Sequence, residues 1–303
     1  MSLFTQSAYI LTSKPFTLDE LETLLAAFEV VGHTEKPADD HWAFGGEGII
    51  LSGVRPGARV IVDVVDRDWV DQIDADDDPV AQAVWEAGGF GPAVFPGAIE
   101  RAGKQAWAWK IAGAAVRAHT SYVRLRSMWV DDAGQSAEAP ADRDPLEELS
   151  FLTLIAATLL ADEEHTICYF NPNGEALRPK EFVHTGLEHH GDTGEPPLDV
   201  WTNLRLSRIE EGIVRMDSVG MQQLGLPDVE AVFPEGAYAY DAVDSFLRDL
   251  MWYLLDQGDV IKAGDAVDGP GGDWQASRID AEGPPPRPLL RFEPMTASPK
   301  LSA

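Results

Sequence analysis

A run of residues without a polar face constrains this chain most. Coiled as a helix, Leu149 to Leu160 is apolar on most sides, and a helix of that kind has to be buried. Its start is marked by Asp144 as N-cap, Pro145 at the first helical position and Glu147 in the first turn. Before it, Ser121 to Val130 alternates like a strand, with Tyr122, Val123, Leu125 and Met128 as its apolar members; after it, Thr166 to Phe170 is strand-like too. Strand, buried helix and strand predict one β-α-β crossover in a single sheet. The intervening Asp131 to Asp144 is small, polar and acidic, which suits a flexible connection. It divides the chain into an N-terminal α+β lobe over 1–135 and a C-terminal α+β lobe over 136–303.

Other elements carry their own signals. Thr17-Leu18-Asp19-Glu20 has capping-box spacing and Phe16 can staple onto Leu21, which predicts a helix to about Glu29 with Leu18, Leu21, Leu25 and Phe28 on its apolar face. Gly48 to Ser52 and Arg59 to Val65 read as a hairpin about Arg55-Pro56-Gly57, and helices are expected over Pro79–Glu86 and Gly97–Trp107. Val200–Leu206 and Ile213–Ser218 pair around Glu210-Glu211-Gly212, and Val229–Phe233 is a further strand. Asp241 caps a last helix with the stripe Val243, Phe246, Leu247, Leu250 and Leu254, and Gly258 stops it. Gly269 to Pro288 is a tail rich in Gly and Pro. The class is α+β, two mixed lobes with largely antiparallel sheets.

Composition narrows the partners. Asp and Glu number 51 against 23 Lys and Arg, a formal charge of -28. Such a field repels phosphate backbones and anionic lipid and speeds encounter with a basic protein, although acidity also serves solubility alone. Nucleic acid and membrane are therefore not expected partners. One cysteine, Cys168, allows no disulfide within the chain and suits a reducing compartment. No run of about 18 uncharged apolar residues occurs, and Met1 to Ser13 lacks the pattern of a signal peptide. The expected location is cytoplasmic.

Reactive constellations are weak. His184, His189 and His190 with Glu188 and Asp192 could supply three metal ligands, but they fall in a Gly- and Pro-rich segment without His-x-x-x-His spacing, which reads as a solvated loop. His165 and Cys168 point to opposite faces of a strand, leaving the cysteine structural. No Gly-x-Ser-x-Gly elbow is present, and Gly269-Pro270-Gly271-Gly272-Asp273 lacks the Lys-Ser/Thr of a phosphate-cradling loop. No catalytic residue, metal or cofactor is expected. The densest charge feature is Asp63, Asp66, Asp68, Asp71, Asp74, Asp76, Asp77 and Asp78, with Trp69 inside it. It reads either as a solvated loop that ends by capping the helix at Pro79, or as a docking surface on which charge steers and Trp69 supplies contact area.

Three segments in order carry a resemblance. They are Phe95-Pro96-Gly97-Ala98-Ile99-Glu100-Arg101-Ala102 with Trp107-Ala108-Trp109, Gly220-Met221-Gln222-Gln223-Leu224-Gly225-Leu226-Pro227-Asp228-Val229-Glu230, and Leu254-Leu255-Asp256-Gln257-Gly258 with Gly264-Asp265-Ala266-Val267-Asp268-Gly269. Over roughly Phe95 to Gly269 the chain resembles the bacterial domain-of-unknown-function family 4261, departing at Ala266, where Thr is usual, and at an inserted Asp268. Motifs of Gly, Trp, Pro and Leu speak of a fold: Trp107 and Trp109 suit one buried ring and one at a lobe boundary. The resemblance implies an accessory or immunity-like protein found near secreted toxins of type VI secretion. The expectation is a non-enzymatic immunity protein that occludes the active site of a cognate basic toxin, a nuclease being one candidate. The alternative is a hydrolase or metal-dependent enzyme with dispersed site residues.

Overall fold

The computed structural model describes residues 3–35, 41–74 and 76–295. The chain divides into two compact units, Met1–Trp201 and Thr202–Ala303. The division falls well past the acidic stretch at 131–144, so the boundary expected near residue 135 is displaced.

In the first unit, β1 (Gln6–Thr12), α1 (Leu18–Leu24), β2 (Val30–Thr34), β3 (Gly48–Ser52) and β4 (Ala58–Val65) come first. The capping box forms as read, with the Glu20 carboxylate accepting from the Thr17 N–H and the Thr17 hydroxyl accepting from the Glu20 N–H. The helix stops at Leu24, earlier than expected, and the chain returns as β2. Then follow α2 (Pro79–Glu86), α3 (Ala98–Lys104), α4 (Ala112–Ala118), β5 (Ser121–Val130), β6 (Ser136–Ala137), α5 (Pro145–Leu160), β7 (Thr166–Asn171), β8 (Ala176–Arg178), α6 (Lys180–Thr193) and α7 (Leu198–Trp201).

The sheet order is β2-β3-β4-β5-β1-β7-β8, with β6 on β5. Because β1 is antiparallel to both β5 and β7, those two are parallel to each other and α5 joins them across β1. This is the expected crossover, and it lies inside one sheet. Leu149, Leu152, Ile155, Leu159 and Leu160 of α5 are buried, each worth about 1.5–3 kcal/mol. Residues 131–144 are tied down. The Asp131 carboxylate accepts from the Ala133 and Gln135 N–H groups, β6 pairs with β5, and Arg143 reaches the buried Glu148 at 3.0 Å.

The histidine segment is also not the expected loop. It forms α6, because Pro179 precedes its first turn, Gly194 ends it at φ 79° and Val183 anchors it in the interior. Gly186 within it allows a close approach, since a Cβ there would meet Val200 Cγ2 at 3.0 Å.

The second unit orders its strands β12-β13-β14-β11-β10-β9. These are β9 (Asn203–Glu210), β10 (Ile213–Val219), β11 (Asp228–Pro234), β12 (Ala266–Gly269), β13 (Gly272–Asp280) and β14 (Pro288–Pro294). All pairs are antiparallel except β11 with β14. Gly212, at φ 76°, makes the β9–β10 turn that its sequence promises. Strand character begins at Asn203; Leu198–Trp201, partly expected as strand, is helical. The Gly- and Pro-rich tail holds strand β13 in its first half, and β14 begins at its last residue, Pro288.

The helix α8 (Tyr240–Gln257) buries Val243, Phe246, Leu247, Leu250, Met251 and Leu254. Phe246 meets Trp274 at 5.3 Å and Phe292 at 5.8 Å between ring centroids. Its N-cap is Ala239, with Asp241 in the first turn and no side-chain cap. Among the described residues no helix is long and apolar enough to cross a membrane.

Candidate functional site

The acidic stretch is three different things once folded. Asp63 lies on β4 and is fully buried, so it belongs to no surface. Its carboxylate accepts from Arg124 Nε at 3.0 Å, Arg126 Nη2 at 3.0 Å and the Gly46 N–H at 2.7 Å. Burial alone would raise its pKa, but Arg124 and Arg126 outweigh that and hold it below its ordinary value. Asp71 accepts from the Ile99 and Glu100 N–H groups at the start of α3, and Asp78 caps α2 through the Ala81 N–H. The capping role expected at Pro79 is therefore present. Burial works against ionisation of Asp78 too, yet the Ala81 N–H, the Trp42 indole and His41 leave its pKa lowered.

Trp69 is not a surface anchor. It is 9% exposed, with Tyr9 edge-on at 4.9 Å and Phe170 at 5.2 Å, and its N–H donates to His119 Nε2 at 2.8 Å. That bond holds the Trp69 backbone while the ring packs in the core, although charged residues flank it in sequence.

What remains outside is Asp66, Asp68, Asp74, Asp76 and Asp77, all exposed. Among the described residues none of the five forms an ion pair. Against Asp66 and Asp78 runs an aromatic loop over residues 41–46. Arg124 Nη1 donates to the carbonyls of Trp42 and Ala43 at 3.3 and 3.2 Å, so the buried triad also pins this loop. Gly46 is required there: a Cβ would lie 2.1 Å from the Val64 carbonyl oxygen. His41 Nε2 sits 3.1 Å from Asp78, Arg67 covers the Trp42 ring at 4.7 Å, and Phe44 stands edge-on to His41 at 6.0 Å. Phe44 is 49% exposed. A cleft of about 460 Å³ opens between this loop, Phe16 and Asp66. The surface thus combines unpaired carboxylates with one large exposed ring. Sequence reading passed over His41-Trp42-Ala43-Phe44, whose aromatic density in a polar neighbourhood was the available signal.

The remaining candidates assemble no chemistry. His189 Nε2 meets Glu195 at 3.1 Å and His190 Nδ1 meets the Glu195 carbonyl at 2.9 Å, at the exposed end of α6. Among the described residues no group of three or more His, Cys, Asp or Glu is placed to hold a metal ion. Cys168 is buried and burial raises its pKa, which keeps the thiol protonated. Of the two rings expected as one buried and one at a lobe boundary, Trp107 is exposed and Trp109 is partly buried against the core.

A second charged assembly, missed in sequence, crosses the sheet of the other unit. Asp217 on β10 receives Arg205 and Arg287; Asp228 accepts from the Ser218 hydroxyl at 2.6 Å and faces Arg287 at 3.2 Å; Glu230 accepts from Arg291 at 2.5 Å. Burial raises the pKa of Asp228 and of Glu230 in spite of these arginines. Each carboxylate faces an arginine carried by another segment, an arrangement that cross-links strands and offers no free acid or base. The buried carboxylates are Asp63, Glu148, Glu175, Asp217, Asp228 and Glu230, against buried Arg124, Arg126, Arg205 and Arg287. Six acids against four arginines leave -2 in the core among the described residues, so nearly all of the formal charge of -28 is carried outside it.

Residues 217–293 match the family described as Domain of unknown function (DUF4261). The match includes the Gly220–Glu230 and Leu254–Gly269 segments and leaves out Phe95–Trp109. No curated protein and no solved structure matches the chain.

Proposed function

We propose that the protein is a non-enzymatic binding protein for a basic partner, and that the partner is a cognate secreted toxin whose active site it occludes. One observation carries this reading: Asp66, Asp68, Asp74, Asp76 and Asp77 stand exposed without ion pairs among the described residues, and Asp66 shares a cleft with the 41–46 loop that carries the exposed ring of Phe44. Carboxylates left without an ion-pair partner act at long range and steer a cationic surface, and an aromatic ring supplies buried area once contact is made. A nuclease is basic where it receives phosphates, so carboxylates in this array imitate its substrate. The toxin is named as the partner on what the family resemblance implies, an immunity-like role.

The test uses a basic toxin-like protein, sought first in the reading frames that neighbour this one. Changing Asp74, Asp76 and Asp77 to Asn slows association and flattens its salt dependence, since steering is screened within about 8 Å at physiological ionic strength. Phe44→Ala speeds dissociation instead. Unchanged rates and unchanged protection of toxin-expressing cells in all these variants would return the acidity to a solubility role.

A further inference from the structure

A second surface, in the unit Thr202–Ala303, has the features of a docking groove. Between α8 and β12 lies a depression of about 610 Å³, within the range of about 300–1,000 Å³ that recognition pockets occupy. Phe246, Leu250 and Ile261 form its buried apolar floor. Tyr253, 49% exposed, and Val260, 45% exposed, stand at its rim.

Its electrostatics have one sign. Asp249 and Asp268 line the groove, are exposed and form no ion pair among the described residues. Asp265, also in the lining, is occupied in part by the Lys262 N–H at 2.8 Å. The last turn of α8 carries no basic residue and ends beside the groove. Gly258 caps that turn by donating to the Leu254 carbonyl, and the carbonyls after it add the partial negative charge of a helix C-terminus. β12, three of whose residues line the groove, ends the strand order with β13 as its one neighbour, so its other edge pairs with no strand. A second copy of this chain, at -28, is repelled from such a place.

We infer that this groove receives an extended peptide segment of a partner protein, alternating cationic and aliphatic side chains, added as a strand to the free edge of β12. The backbone supplies affinity, the floor takes the aliphatic side chains and the carboxylates take the cations. The inference does not rest on the toxin reading, because its residues and its unit are different.

The probe is a fluorescein-labelled synthetic octapeptide, Gly-Lys-Val-Lys-Val-Lys-Val-Gly, titrated into the full-length protein by fluorescence anisotropy at low ionic strength. Saturable binding is expected. Asp249→Asn with Asp268→Asn weakens it about tenfold, Tyr253→Ala weakens it as well, and N-methylation of alternate peptide amides abolishes it. Circular dichroism of each variant establishes that the fold is retained, and the conservative Asn pair keeps the side-chain volume. Asp74, Asp76 and Asp77 changed to Asn leave the peptide's affinity unaltered. The proposal is overturned if the peptide does not bind, or if a version with Glu in place of Lys binds equally. It is equally overturned if the groove variants bind as the parent does, or if the Asp74, Asp76 and Asp77 variant is the one that loses binding. Sedimentation showing a dimer that Asp249→Asn with Asp268→Asn disrupts would assign the groove to a second copy and overturn it too.

Discussion

Asp63 shows how much a single carboxylate can organise. It neutralises two arginines inside the sheet and, through Arg124 and Gly46, holds the 41–46 loop that presents Phe44. Asp63→Asn leaves Arg124 and Arg126 buried without a counter-charge, and the expected loss is about 3–5 kcal/mol in urea denaturation. A loss under about 1 kcal/mol would show that water or a rearranged loop replaces the pair. The pH dependence has a definite sign. The folded pKa lies below the ordinary value, so the unfolded chain binds more protons as pH falls below about 4. The contribution is complete above the unfolded pKa and is lost as pH falls through the folded one; Asp63→Asn removes that part of the acid slope. None of this is legible in the sequence, where Asp63 is one of eight nearby acids. Its partner Arg124 is opposite it in register on β5, 61 positions along. Strand pairing over that distance leaves no local trace. The same limit hid the burial of Trp69, which depends on His119.

Elements with a one-sided or all-round apolar pattern were legible, and those made by neighbours were not. α5 and α8 follow directly from their apolar spacing, because each must bury that surface somewhere. α6 escaped because Gly186, Gly191 and three histidines have weak helical preference, and tertiary contact at Val183 decides the matter. β13 and β14 escaped because their ladder partners, and not their glycines and prolines, make them strands. The face of α8 gives a direct check. Phe246, 7% exposed and packed on Trp274 and Phe292, is expected to cost about 3–5 kcal/mol when changed to Ala. Equilibrium unfolding measures it, and a loss under about 1 kcal/mol would mean that the floor of the groove collapses to fill the gap.

Across the whole molecule, nearly all of the net charge stands outside the core, and like charges repel through solvent. Raising sodium chloride from about 10 mM to about 150 mM shortens the screening length from about 30 Å to about 8 Å. The unfolding temperature in scanning calorimetry should rise over that range; a flat or falling curve would show that the carboxylates are spaced widely enough not to repel. The topology of the first sheet has a different consequence, one of timing. The residues of β1, Gln6–Thr12, are all buried, yet Tyr9 is flanked by Arg124 on one side and Phe170 on the other. During translation at roughly 5–20 residues per second, β1 leaves the ribosome on the order of ten seconds before its second neighbour exists. Through that interval Ala8-Tyr9-Ile10-Leu11 is an unclaimed sticky segment, and the nascent chain is at its most vulnerable to a neighbour on the same polysome.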